Sequence, residues 1–247
     1  MKRHLALEWA GRRFESTLES GVDLSIGLGP GPSATAWYCP PVAIEPVVMG
    51  DWVGSIQAGA PVNFQNVRFN PHGNGTHTEC LSHVSDSPLQ VGEALTHSFW
   101  PALLVEATPD ADGGIRAHGL RTAETDYAPA LVIRTHPNRR EDKFRDYSNT
   151  HPAWIDPELM RFWVEQGVEH LLIDLPSVDP EVDEGRLSAH KVFWGLDRGQ
   201  PRTQCTITEL IYVPQALELG AYLLELQLAP FRMDAAPSRP ILYRLHS

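Results

Sequence analysis

The stretch Asn70-Pro-His-Gly-Asn-Gly-Thr-His-Thr-Glu-Cys-Leu-Ser-His83 gathers three histidines and one glutamate within fourteen residues. His72, His77, Glu79 and His83 offer imidazole nitrogens and an anionic oxygen, the mixed donor set accepted by borderline divalent ions such as zinc or manganese. Gly73 and Gly75 permit positive-φ turns, which let neighbours in sequence aim at one point. Thr76–Cys80 reads as a short strand in which His77 and Glu79, two residues apart, share a face. The competing reading is a surface loop, because the chain has eleven histidines and proximity can arise by chance.

A second set of donors lies downstream. The run Leu171-Leu-Ile-Asp-Leu-Pro-Ser-Val-Asp179 is followed by Ser188-Ala-His190 and by Ile207-Thr-Glu209. Glu209 sits in an apolar run, where a carboxylate is costly unless it is paired or metal-bound. Strand alternation would also let it face outward, and His190 could simply begin a helix capped by Ser188. Hydrolysis of an amide, for one, would use both sets. A divalent ion lowers the pKa of bound water from about 16 toward 7, and a second ion about 3.5–4 Å away can polarise the carbonyl. The leaving nitrogen needs a proton, which an imidazole delivers near neutral pH. His83, six residues beyond His77, is placed either for that transfer or as a third ligand.

Taken together, Gly75-Thr76-His77, Glu79, His83, Asp174 to Asp179, His190 and Glu209 resemble the cyclase family of metal-dependent hydrolases, which includes bacterial kynurenine formamidases and isatin hydrolases. Leu131-Val-Ile-Arg-Thr135, the helix between Trp154 and Gly167, and Gly220–Leu228 fall in the same order, so the resemblance spans most of the chain. It implies a two-metal centre, with His72 and His77 on one ion, His190 on the other, and Glu79 and Glu209 between them. It implies that His83 is the general acid/base and that Trp37 meets the substrate ring, core packing being the competing reading for Trp37. Three positions depart from the family pattern. Four residues separate His72 from His77 where three are usual, Glu79 replaces aspartate, and Leu81 replaces proline, so a one-metal site is the alternative. The activity implied is cleavage of a C–N amide bond, in an aryl formamide or a cyclic amide, by metal-activated water. Lactone hydrolysis and non-catalytic binding of a metal or small ligand are the other readings. A homodimer or larger homo-oligomer is implied as well.

The rest of the composition sets the frame. The 247 residues, 42% hydrophobic, can bury one large core without a linker-like interruption, so one domain over 1–247 is expected. A net charge of −11 argues against nucleic acid, which is bound by neutralising phosphates. The start of the chain has no sustained apolar run, so neither a signal peptide nor a membrane span is expected. Cys39, Cys80 and Cys205, three and well separated, fit reduced thiols and a cytoplasmic location, with Cys80 as a pocket-wall residue.

The elements that must position these side chains are mostly strands. Leu103–Ala107, Ala130–Arg134, Leu171–Leu175, Ile207–Val213, Tyr222–Leu228 and Pro240–Leu245 are rich in Val, Ile, Leu and Tyr. The clearest helix runs from an Asp156 N-cap and Pro157 to Gly167, with Leu159, Phe162, Trp163 and Gln166 on its apolar face. The pattern gives an α+β class with mixed sheets and few helices. The family resemblance sharpens this to a swivelling β/β/α architecture with the metal site at strand ends and loops.

Overall fold

Buried on both faces, the runs Ala130–Thr135 and His170–Ile173 show no polar alternation, as expected of parallel strands covered on each side. The computed structural model describes residues 3–9, 11–122 and 128–246. These strands belong to a nine-stranded mixed sheet made of β1 (Val22–Asp23), β2 (His77–Glu79), β3 (Phe99–Ala107), β4 (Leu120–Arg121), β5 (Ala130–Thr135), β6 (His170–Ile173), β7 (Thr206–Glu209), β8 (Gly220–Leu228) and β9 (Ala235–Arg244). The order is β4-β3-β5-β6-β7-β2-β9-β8, with β1 added to β9 and β8 returning to pair with β3, so the sheet closes on itself. The β3-β5-β6-β7 portion is parallel, and β2 joins β7 and β9 antiparallel.

Alternation along the parallel strands separates two apolar faces. Ala102, Leu104, Ala130, Val132 and Leu172 point inside the closed sheet toward Tyr222, Leu224 and Leu242. Leu103, Val105, Leu131, Ile133, Leu171 and Ile173 point outward and are covered by helices. Three α-helices are described: α1 (Val91–Ala94), α2 (Pro157–Glu165) and α3 (Ser188–Phe193). Asp156 caps α2 as expected, accepting the Glu158 N–H at 2.9 Å. The buried face of α2 is Leu159, Met160 and Trp163; Phe162, expected on that face, is 43% exposed. The mostly β, few-helix architecture matches the expected class. No helix among the described residues is long and apolar enough to cross a membrane.

Candidate metal centre

Strand β2 carries the heart of the site. Its register against β7 sets His77 opposite Glu209 and Thr78 opposite Thr208. His77, Glu79 and Glu209 therefore share one face, while the Thr78 and Thr208 hydroxyls meet at 2.7 Å on the other. Thr76 fixes the approach to β2 by accepting the Ile26 N–H at 2.8 Å and donating to the Leu210 carbonyl. Gly75 takes a φ of +66°, and a Cβ there would lie 2.7 Å from Leu28 Cδ2. Gly73, expected in a similar turn, does not have positive φ; it is needed because a Cβ would lie 2.4 Å from Cys39 Sγ.

His72 projects from the Asn70–Gly73 turn before β2, and the other donors arrive from three further segments. His83 sits on a 3-10 turn, Leu81–Val84, that follows β2 directly. His190 is the third residue of α3. Ser188 is not the cap of that helix; Leu187 precedes its first turn in a left-handed conformation, and Asp179 accepts the Ala189 and His190 backbone N–H groups at 2.8 and 3.1 Å. The last of these segments brings Asp234, immediately before β9, whose carbonyl accepts the Cys80 N–H at 3.0 Å.

All six expected donors converge. Glu79 Oε2 lies 3.0 Å from His72 Nδ1, 3.6 Å from His83 Nε2 and 4.0 Å from His77 Nε2. Glu79 Oε1 lies 3.1 Å from His190 Nε2. Glu209 reaches His77 Nε2 at 3.5 Å and His190 Nε2 at 3.7 Å. His77, Glu79, His190 and Glu209 are buried, whereas His72 and His83 are partly open at the rim. Glu209 faces inward, and its Oε1 also accepts the Val178 N–H at 3.1 Å.

Two further carboxylates touch the imidazoles. Asp179 Oδ2 is 2.6 Å from His190 Nδ1. Asp234 Oδ2 is 2.9 Å from His72 Nε2 and 3.4 Å from His83 Nδ1. The acid–imidazole contacts set the local electrostatics. Burial opposes charge on His190, yet the hydrogen bonds it donates to Asp179 and Glu79 push it up to about 10. Burial likewise opposes charge on His72, but the Glu79 hydrogen bond and the Glu79 and Asp234 carboxylates raise it. Against its own burial, Glu79 is held well below the usual carboxylate range by His83, His190 and His72.

The donor set fits a divalent ion on one observation above all. His77 donates Nδ1–H to the Gly75 carbonyl at 3.2 Å, and its buried Nε2 has no hydrogen-bond partner while facing two carboxylates. A buried nitrogen lone pair so left is what a metal satisfies.

A cavity of about 310 Å³ opens over the cluster, within the size range of small-ligand sites. Trp37 forms part of its wall, together with Cys39, Asn70 and Ser177. Cys80, expected in that wall, is instead buried against Val91, Ala94 and Ala236. Asp234 and the role of Asp179 were not signalled locally: the one precedes an Ala-Ala-Pro strand start, the other ends a turn motif. Only the β2–β9 pairing and the α3 cap reveal them.

A model of the Cyclase family, described as "Putative cyclase", matches residues 22–180, more than half of the chain. The chain belongs to the Cyclase family. Among curated relatives, the kynurenine formamidase of Bordetella petrii is 27% identical over 213 residues, covering 83% of this chain and 96% of that protein. The Bordetella pertussis kynurenine formamidase is 25% identical, with the same coverage. Among solved Cyclase-like folds, a "potential metal-dependent hydrolase with cyclase activity" superimposes with a TM-score of 0.63 at 16% identity, covering 91% of this chain and 97% of that one. An isatin hydrolase bound to the product analogue thioisatinate gives 0.62 at 15% identity, over 92% and 93% of the two chains.

Proposed function

We propose that this chain is a metal-dependent hydrolase that cleaves the C–N amide bond of an aryl formamide or a cyclic amide. The observation that carries the reading is the convergence of His77, Glu79, His190 and Glu209, with the unpartnered His77 Nε2 at its centre, beneath a cavity walled by Trp37. The kynurenine formamidase relatives support the amide as the bond cut.

In this reading His72, His77, Glu79, His190 and Glu209 hold zinc or manganese, two ions per chain. When bound, the ions acidify water and polarise the scissile carbonyl. The protein's own residues do the rest. His83, 3.6 Å from Glu79 and at the cavity edge, is the general acid that protonates the departing nitrogen. Trp37 packs against the aryl ring and holds it over the carboxylates. Asp179 keeps a proton on His190 Nδ1, so that Nε2 faces the centre.

Elemental analysis of the purified protein tests the metal, with about two ions per chain expected and Glu209→Ala as the variant that loses them. His83→Asn separates the roles: turnover of an aryl formamide falls at least a hundredfold while metal content stays near the wild-type value. Loss of metal in that variant makes His83 a ligand; metal without turnover in the wild type on formamides, lactams and lactones leaves a binding protein.

The assembly we propose is a homodimer or larger. An arm spanning residues 43–68 exposes Val48, Met49, Ile56, Val62, Phe64 and Val67, each more than half accessible in the isolated chain. Six such side chains within one segment of two antiparallel strand pairs are more than singly scattered surface residues account for. Size-exclusion chromatography with light scattering checks this, and a monomer of 27.5 kDa refutes it.

A further inference from the structure

The three imidazoles proposed as ligands each turn a nitrogen toward the centre, and in each the opposite nitrogen has its own partner. For His77 that partner is the Gly75 carbonyl, at 3.2 Å. For His190 it is Asp179, at 2.6 Å. His72 has neither a backbone acceptor nor full burial, and its Nε2 meets Asp234 Oδ2 at 2.9 Å while its Nδ1 faces Glu79 at 3.0 Å.

We infer that Asp234 is a positioning residue for the metal centre, holding the Nε2–H of His72 so that Nδ1 is the nitrogen presented to the ion. The inference rests on the metal reading of the site and adds to it a carboxylate from outside the ligand set.

The physical case has three parts. A ligating imidazole must present a bare nitrogen, and the hydrogen bond at the other nitrogen decides which one that is. His72 is the ring that most needs such a partner. It projects from the Asn70–Gly73 turn, where Asn70 Oδ1 accepts the His72 and Gly73 backbone N–H groups, and its side chain is 21% exposed. Water can therefore compete for either ring nitrogen. Asp234, finally, is fixed relative to the ligands by strand register: Ala235 pairs with Glu79, and the Asp234 carbonyl accepts the Cys80 N–H. The carboxylate that aims His72 is thereby placed by the same strand pair that places Glu79.

Asp234 Oδ2 also lies 3.4 Å from His83 Nδ1, and the His72 and His83 rings stack with centroids 4.2 Å apart. One oxygen thus sets the edge of both rim imidazoles.

The test uses zinc as the probe and the full chain, stripped of metal and titrated against a competing chelator. Asp234→Ala should bind zinc ten- to a hundredfold more weakly than wild type. Asp234→Asn, whose amide oxygen still accepts Nε2–H, should return affinity to within about threefold, following the acceptor logic for His ring nitrogens. In long-range 1H–15N spectra of the zinc-loaded wild type, His72 should carry its proton on Nε2 and zinc on Nδ1, assigned by the signals lost in His72→Gln. Thermal unfolding in chelator serves as the fold control for each variant. Equal affinity in Asp234→Ala, or a His72 proton on Nδ1, overturns the inference. So does an Asn variant as weak as the Ala variant, because Asp234 is then a ligand itself. A wild-type chain that takes up no zinc or manganese fails differently: it removes the metal reading, and this inference with it.

Discussion

Asp179→Asn is the substitution whose consequences can be worked most fully. Asp179 accepts three hydrogen bonds: from Ala189 N at 2.8 Å, His190 N at 3.1 Å and His190 Nδ1 at 2.6 Å. Asparagine keeps one acceptor oxygen and turns an NH2 group toward one of those donors. One buried N–H left without a partner costs about 1–3 kcal/mol, and exchanging a charge-assisted bond for a neutral one costs about 1 kcal/mol more. The metal-free protein should therefore lose about 2–4 kcal/mol, or roughly 5–15 °C in Tm for a chain of this length. The pH dependence has a definite sign. His190 is pushed up to about 10 from an ordinary 6.5, so the folded protein keeps a proton that the unfolded chain releases. Its contribution is complete below pH 6.5 and is lost as pH rises toward 10. In Asp179→Asn that loss should be smaller, because one of the groups raising His190 is gone. Urea unfolding in chelator, repeated between pH 6.5 and 10, measures both quantities. An unchanged midpoint together with an unchanged pH slope would refute the assignment of Asp179 as the cap of α3 and the partner of His190.

Three other outcomes follow from the same geometry. Gly75→Ala places a Cβ at φ +66° within 2.7 Å of Leu28 Cδ2 and 2.9 Å of the Ile26 carbonyl, so it should cost about 2–3 kcal/mol in urea unfolding; a neutral result would mean that this turn relaxes freely. Asp174 is pushed up to about 6 by burial, although Thr135 N and Asn138 Nδ2 donate to it. The folded state thus retains a proton that the unfolded chain loses above about 4, and stability should fall by about 2 kcal/mol as pH rises from 4 to 6, a slope that Asp174→Asn flattens. Adding zinc to chelator-stripped protein at about a thousand times its Kd should stabilise it by about 4 kcal/mol, or about 8–16 °C by calorimetry, with most of that shift absent in His77→Ala.

Donor residues were legible in the sequence because their chemistry is local: His72, His77, Glu79 and His83 cluster around glycines, and Glu209 stands out as an acid in an apolar strand. The strands that carry them were legible too, since buried parallel strands are uninterrupted apolar runs. What could not be read was anything defined by pairing across the chain. Asp234 looks like an ordinary loop acid until β9 lies against β2, and Asp179 looks like the end of a turn until it caps α3. The buried face of α2 departs from the expected one because Met160, rather than Phe162, meets the core. Cys39, not Cys80, reaches the cavity because Gly73 allows the loop before it to pack within side-chain contact.

The placement of β2 carries one more consequence, for when the centre can come into existence. His77 and Glu79 are made early, yet both strands that flank β2 come from the far end of the chain, residues 206–209 and 235–244. During synthesis the histidine-rich segment therefore waits, unpaired, for more than half the polypeptide to emerge. Its donors are then as separate as those of any unfolded chain. Ion capture at full strength requires both flanking strands in place, and a ribosome-released fragment ending before Asp234 would lack both β9 and the carboxylate beside His72. Loading thus doubles as a report that the barrel has closed around β2.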